Sequence, residues 1–174
     1  MKTVIRDYDD STWYIVAFEE EFTSNTKNVL YLEAPGKIIA SMSTQWLIDN
    51  YFVENIINVG TAGGNPSKVE IGKIYEVGKV YDRDFITPST KLPFITVGRG
   101  DLKSCYTGDS FVTSWEGISY DMVDMEAYAI AKVCGHSENH IPFQCYKYIS
   151  DTGSNSDWEA NLEKCNKELN KRFK

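Results

Sequence analysis

The amino-acid sequence predicts an α/β layer fold with a mixed sheet. Short apolar runs rich in strand formers alternate with segments whose apolar residues recur at helical spacing. Polar or glycine-rich segments directly follow several of these runs, as in α/β proteins that bind ligands at strand ends. The chain has 174 residues, of which 42% are hydrophobic, and this suits one hydrophobic core. We therefore expect a single domain over residues 1–174.

The first third of the chain predicts two strands and a helix. Residues 13–18 form an apolar run that ends at the acid triplet 19–21, which indicates a buried strand with a polar carboxyl end. Residues 28–32 predict a second strand, and the turn signal 34–36 follows it. Helical spacing of apolar residues over 37–52 predicts a helix, although its first apolar pair could equally finish a strand.

The middle of the chain is rich in strand signals. Residues 56–59 predict a short buried strand that breaks into a glycine-rich turn over 60–64. Strand-like runs follow around 73–80 and 93–98, and residues 107–114 are compatible with strand or loop.

The last third predicts a helix, a strand and a second helix. Residues 125–134 carry apolar side chains at steps of three and four, which is typical of an amphipathic helix. Residues 142–149 predict a buried strand that ends at Ser150 and Asp151. The polar segment 158–173 predicts a carboxyl-terminal helix.

Composition argues against several classes of function. The formal net charge is −7 and the 18 Lys and Arg residues are scattered, so we expect no nucleic-acid partner. The four cysteines are far apart and only two histidines are present, so we expect no metal site. No apolar run approaches the roughly 20 residues of a membrane span. We expect a cytoplasmic protein with reduced thiols and no membrane partner.

Four polar segments follow predicted strands, and each has a simple structural explanation when taken alone. The acid triplet 19–21 could be a solvated strand end, and the run 60–64 lacks the Lys of a phosphate loop. Residues 107–110 could be an ordinary loop, and the pair 150–151 could cap the final helix. Glu126, near a helix start, could simply complement the helix dipole.

The order of these segments resembles the superfamily of purine nucleoside phosphorylases and methylthioadenosine/S-adenosylhomocysteine nucleosidases, and the nucleosidase branch most closely. Ala17-Phe18-Glu19-Glu20-Glu21 is similar to the family's Ala-Met-Glu-Glu-Glu, and Ala34-Pro35-Gly36-Lys37 to its Gly-x-Gly-Lys turn. The segment 56–64 resembles its glycine-rich strand end. Further matches are Gly108-Asp109-Ser110-Phe111 to Gly-Asp-Ala-Phe, Val123-Asp124-Met125-Glu126-Ala127 to Val-Glu-Met-Glu-Ala, and Ile149-Ser150-Asp151 to Ile-Ser-Asp.

The resemblance implies a three-layer α/β/α fold with a central mixed twisted sheet, and two catalytic carboxyl groups. Breaking an N-glycosidic bond develops positive charge on the ribose and negative charge on the departing purine. Asp151 would therefore donate a proton to the purine, with Ser150 supporting it. Glu21, the third acid of the triplet, would be the base that activates the attacking water.

The resemblance also implies a set of residues that bind substrate. Glu126 would accept hydrogen bonds from the ribose hydroxyls, with the Met125 side chain packed against the sugar. Phe111 would stack on adenine, and the backbone of Val112 would read the edge of the base. Trp158 stands where the family often has an aromatic side chain that closes the pocket.

Water is the nucleophile that the sequence favours. Phosphorolysis needs fixed cationic donors for phosphate, and Asn58 stands where the phosphorylase branch commonly has an Arg. Phosphate beside the acids 19–21 would be repelled. Thr61 could still donate to phosphate or to a ribose hydroxyl, and Arg83 or Arg99 could be delivered from loops or from a partner subunit. A phosphate-dependent phosphorylase therefore remains an alternative.

The expected protein is thus a nucleosidase that takes a purine nucleoside and water, or else phosphate, without a cofactor or metal. The resemblance implies a homodimer. The chain is shorter than is usual for the family, and length is missing between residues 21 and 34 and between 95 and 107. These trimmed loops motivate a third alternative, a nucleoside-binding module without catalysis, and they leave the identity of the nucleoside open.

Overall fold

The computed structural model describes residues 1–7, 10–85, 92–99 and 102–174, and they contain nine strands and three α-helices. The strands are β1 (Lys2–Val4), β2 (Thr12–Val16), β3 (Asn28–Tyr31), β4 (Asn55–Gly64), β5 (Ile74–Asp82), β6 (Phe94–Thr96), β7 (Lys103–Thr107), β8 (Met122–Asp124) and β9 (Phe143–Asp151). The helices are α1 (Lys37–Asn50), α2 (Ala127–His136) and α3 (Asn155–Arg172), and a 3₁₀ turn spans Glu19–Glu21. None of the helices in these ranges has the length and hydrophobicity that crossing a membrane requires.

The strands form one mixed sheet with β4 near its centre. The order is β1-β3-β2-β4-β8-β7-β5-β6, and β9 pairs with both β4 and β5. Strand β4 is parallel to β2 and β9, so the carboxyl ends of these three strands lie at the same end of the sheet. Strand β8 is antiparallel to β4, with Gly63 opposite Val123, and it directs the following residues back along β4.

Helices cover both faces of the sheet, and this confirms the three-layer architecture. Trp13 and Ile15 of β2 pack in a core with α1 and α2. The alternating residues Tyr14 and Val16 pack in a second core, together with Leu169 of α3. Because β2 is buried on both faces, its sequence is an unbroken apolar run instead of an alternating one.

The glycine-rich segment 60–64 is part of a strand, so its assignment as a turn was wrong. Strand β4 stays paired with β9 up to Gly63, through an irregularity between Ala62 and Gly63. A Cβ atom on Gly64 would lie 2.5 Å from Cγ2 of Ile149. The glycines therefore allow close packing inside the sheet, which is the other common use of glycine in a strand.

Candidate active site

A cavity of about 260 Å³ lies at the carboxyl ends of β2, β4 and β9. Strand-end residues form its floor, and the loop after β7 and the start of α3 form its walls. All the site residues predicted from the sequence line this cavity, namely Glu21, Thr61, Phe111, Val112, Met125, Glu126, Ser150, Asp151 and Trp158. Residues that are far apart in the sequence therefore meet in one cavity of the fold.

Glu21 is held by donors from β4 and from its own turn. The backbone N–H of Thr61 donates to Glu21 Oε1 over 3.0 Å, and the Thr61 hydroxyl donates to the same oxygen. The N–H of Phe18 donates to Oε2 over 3.3 Å. Gly60 has φ +155°, and a Cβ there would lie 3.1 Å from Glu21 Oε2. A glycine at this position thus lets the carboxyl group approach the backbone of β4.

Glu126 follows β8 and reaches across to the turn before α1. Its Oε1 accepts a hydrogen bond of 3.1 Å from the N–H of Gly36. Gly36 has φ +116°, a left-handed conformation that favours glycine, so the turn chemistry orients this donor. The Met125 side chain lines the cavity beside it.

Asp151 ends β9 and both its oxygens accept hydrogen bonds. The N–H of Gly153 donates to Oδ1 over 2.7 Å, and the Ser150 hydroxyl donates to Oδ2 over 2.9 Å. Asp151 is 2% exposed, compared with 3% for Glu21 and 6% for Glu126. These three buried carboxyl groups thus line one cavity, and a fourth, Asp124, lines it as well.

A buried ion pair below these acids was missed by the sequence reasoning. Lys147 of β9 is 1% exposed and lines the cavity, and its Nζ lies 2.8 Å from Oδ2 of Asp124. Asp124 also accepts from the Thr107 hydroxyl at 2.6 Å and from the N–H of Ala127 at 2.9 Å. A lysine inside the mostly apolar run 142–149 was the one signal in the sequence that could have revealed it.

The charges divide these acids into two kinds. Burial alone would raise the pKa of Asp124, but Lys147 and the other donors hold the pKa of that carboxyl below its usual value. Burial raises the pKa of Glu126 to about 8, and the negative charges of Asp124 and Glu21 add to the effect. Burial also raises the pKa of Glu21, against its hydrogen bonds and the charge of Lys147. Asp124 therefore stays ionised as the partner of Lys147, whereas Glu126 is mostly protonated at neutral pH.

The aromatic residues lie at the walls of the cavity. Phe111 is half exposed and lines the cavity. Trp158 is half-buried in the first turn of α3 and packs edge-on against Phe18, with ring centroids 6.0 Å apart. Asn155, which the sequence reasoning did not select, also lines the cavity at the start of α3.

Lys147 is the single cation among the described residues that line the cavity. Asn58 is buried and donates to the backbone oxygen of Ile15 over 3.0 Å. Arg83 donates to Ser110 Oγ over 3.2 Å, but neither Arg83 nor Arg99 is among the described residues that line the cavity. Because Lys147 is already paired with Asp124, the cavity presents no uncompensated positive charge to an anion.

No protein-family model matches the chain. The 5′-methylthioadenosine/S-adenosylhomocysteine nucleosidase of Staphylococcus carnosus is 27% identical over 195 residues, covering 93% of this chain and 83% of that protein. The nucleosidase of the same name from Shewanella pealeana is 30% identical over 155 residues, covering 69% of this chain and 66% of that protein. The crystal structure of such a nucleosidase from Colwellia psychrerythraea, in complex with adenine, matches with a TM-score of 0.71 and 20% identity over 88% of each chain.

The three-layer arrangement and its similarity to the solved nucleosidase define an α/β protein with the nucleoside phosphorylase fold. The sequence relatives narrow this class. The chain belongs to the superfamily of purine nucleoside phosphorylases and methylthioadenosine/S-adenosylhomocysteine nucleosidases, and to its nucleosidase branch.

Proposed function

We propose that the protein is an N-glycosyl hydrolase that cleaves a purine nucleoside into the free base and a ribose derivative. One observation carries this proposal: Glu21, Glu126 and Asp151 line a single cavity at the strand ends. The names of the sequence relatives support it, because each is a 5′-methylthioadenosine/S-adenosylhomocysteine nucleosidase.

Two of the three acids, Glu21 and Asp151, supply the proton transfers that hydrolysis requires. Water attacks the anomeric carbon and forms a C–O bond, and Glu21 accepts the proton that the water loses. The bond between the anomeric carbon and the purine nitrogen breaks, and its electron pair stays on the purine. Asp151 donates a proton to the purine, so the base leaves neutral. Solvent then restores the proton to Asp151 and removes it from Glu21.

Substrate binding follows from the remaining lining residues. Glu126 accepts hydrogen bonds from the ribose hydroxyls while Met125 packs against the sugar. Phe111 stacks on the purine, and the backbone of Val112 contacts the edge of the base. Hydroxyl donors favour the ionised form of Glu126, so binding of the sugar lowers the pKa of that group.

The same geometry supports water over phosphate as the nucleophile. A phosphate group beside Glu21 and Glu126 would need a free cation, and Lys147 is neutralised by Asp124. Thr61, a candidate donor to phosphate, already donates its hydroxyl hydrogen to Glu21. A phosphorylase remains the alternative enzyme, and a non-catalytic nucleoside-binding module remains the alternative outside enzymes.

We expect base release from adenosine or methylthioadenosine in the absence of phosphate. The measurement is chromatography for free base over a panel of purine nucleosides, with and without added phosphate. Turnover that requires phosphate and yields a ribose phosphate would identify a phosphorylase instead. A nucleoside that binds tightly but stays intact for hours, at high protein concentration, would identify a binding module.

We also propose that residues 1–174 form a single domain and that two such chains form a homodimer. We propose that this homodimer works in the cytoplasm. Ile38 and Met42, four residues apart on α1, are exposed, as is Phe52 just beyond the helix, and these apolar side chains would suit a subunit interface. The four cysteines are buried free thiols, as suits a reducing compartment. Light scattering after size-exclusion chromatography tests the oligomeric state, and a monomeric mass at micromolar concentration would contradict the dimer.

A further inference from the structure

We propose that Trp158 is a positioning residue for Glu21 and that it acts through the hydroxyl group of Thr61. This inference rests on the proposed function, because it assigns Glu21 the part of the base. It differs from the expected part of Trp158 as an aromatic wall of the cavity. The residue would instead set the direction of a hydrogen bond to a carboxylate.

The geometry of the three side chains fixes the direction of each hydrogen bond. The indole Nε1 of Trp158 lies 2.9 Å from Thr61 Oγ1. An indole N–H can only donate, so the Thr61 oxygen must accept this bond. The Thr61 hydroxyl hydrogen is then directed at its other partner, Glu21 Oε1. Trp158 thereby sets the hydroxyl as a donor toward Glu21.

Donation from Thr61 favours the ionised form of Glu21, which is the form that a base requires. The same Oε1 also accepts the backbone N–H of Thr61 at 3.0 Å, and Oε2 accepts from Phe18. These donors and the charge of Lys147 oppose burial, which raises the pKa of Glu21. Consecutive hydrogen bonds strengthen one another in a site without water. Loss of the Trp158 N–H group therefore weakens the hydrogen bond from Thr61 to Glu21.

The position of Trp158 links the two catalytic acids through one segment of chain. The strand β9 ends at Asp151, and the chain passes from there directly into α3, which carries Trp158 in its first turn. The hydroxyl of Ser154 caps this helix by accepting from the N–H of Asp157 at 3.3 Å. The rings of Trp158 and Phe18 pack edge-on, so the indole contacts both Phe18 and Thr61. The segment that carries the proposed acid, Asp151, therefore also carries Trp158, which positions the proposed base, Glu21.

The test compares Trp158→Phe with wild-type protein. The carboxyl groups of carbon-13-labelled glutamate side chains are titrated by NMR. The signal that is missing from Glu21→Gln identifies Glu21. Phenylalanine keeps the aromatic ring against Phe18 and removes only the N–H group. We expect the proton affinity of Glu21 to rise about threefold, as suits the loss of one weak hydrogen bond. In an active enzyme, kcat on the acidic limb of the pH profile should fall by up to about threefold with KM unchanged, because the ionised fraction of Glu21 falls by that factor, and the limb should move to higher pH.

The matched control is Trp46→Phe, which removes an indole N–H on α1, where Trp46 packs against Tyr51. It should leave the titration of Glu21 unchanged. A second variant, Thr61→Val, should raise the proton affinity of Glu21 at least as much. In the Thr61→Val background, Trp158→Phe should not raise the proton affinity of Glu21 further, because the hydroxyl that joins Trp158 to Glu21 is already absent.

Two results would overturn the proposal. One is an unchanged titration of Glu21 in Trp158→Phe, and the other is an effect of Trp158→Phe that persists in full in the Thr61→Val background. The titration needs no turnover, so it remains decisive if wild-type protein releases no base. A lack of base release would count against the proposed function, whereas the titration would still test whether Trp158 positions Glu21 through Thr61.

Discussion

Asp151→Asn should lower the turnover number about 100-fold to 10,000-fold, the usual contribution of a positioned acid or base. An amide cannot release a proton to the departing purine. The dissociation constant for nucleoside should change only a few-fold, because protonation of the leaving group acts mainly in the transition state. Steady-state kinetics give the turnover number, and calorimetry with the slow variant gives the dissociation constant.

The fold should tolerate this substitution. The introduced amide keeps an oxygen for the N–H of Gly153, which lies 2.7 Å from Oδ1 of Asp151. The NH₂ group of the amide would face Ser150, whose hydroxyl can rotate and accept, since hydroxyls both donate and accept. Asp157→Asn is the matched control, because Asp157 is exposed in the first turn of α3. Equal turnover numbers for Asp151→Asn and the control would remove Asp151 from catalysis.

Glu126→Gln should weaken sugar binding and stabilise the protein at alkaline pH. A neutral amide accepts the ribose hydroxyls less strongly than a carboxylate, so KM should rise about tenfold or more. The pKa of Glu126 rises from 4.5 to about 8 on folding, so the folded protein retains a proton that the unfolded chain releases in this range. The stability from this group is fully present below about pH 4.5 and is lost as pH rises through about 8.

The difference between 4.5 and about 8 corresponds to at most about 5 kcal/mol at alkaline pH. We expect Glu126→Gln to recover part of it, as a melting temperature several degrees above wild type at pH 9 and nearly equal to it at pH 4.5. Glu20→Gln is the matched control, because Glu20 is the exposed member of the acid triplet. A melting temperature of Glu126→Gln that parallels wild type at every pH would contradict the raised pKa of Glu126.

The acids that line the cavity are visible in the sequence because each stands at the end of a regular element. Glu21 follows the apolar run of β2, Asp151 ends the apolar run of β9, and Glu126 precedes the helix α2. Periodicity locates such ends to within a few residues. The parallel pairing of β2, β4 and β9 then brings the ends together.

The ion pair of Lys147 and Asp124 could not be predicted in the same way. The two residues lie on different strands, and their contact depends on the packing of β8 and β9 around β4. The sequence shows Asp124 only as one residue of the motif 123–127. Lys147 interrupts the apolar run 142–149, but the sequence does not indicate which residue pairs with it. A charge in a buried strand signals that a partner exists, but the sequence does not say which residue it is.

The glycine-rich segment shows a different limit. Gly60, Gly63 and Gly64 suggest a turn because glycine tolerates unusual backbone angles. In the fold they serve close approach, of Glu21 to Gly60 and of Ile149 to Gly64. Sequence alone does not distinguish these uses of glycine, since the crowding atoms come from distant parts of the chain.

Hydrolysis of adenosine and methylthioadenosine in water labelled with oxygen-18, without phosphate, tests the central claim most directly. If Glu21 activates water and Asp151 protonates the base, mass spectrometry should find free adenine and a sugar that carries one oxygen-18 atom from a single turnover. Intact nucleosides at high protein concentration, or a sugar phosphate formed only when phosphate is present, would contradict a hydrolytic nucleosidase.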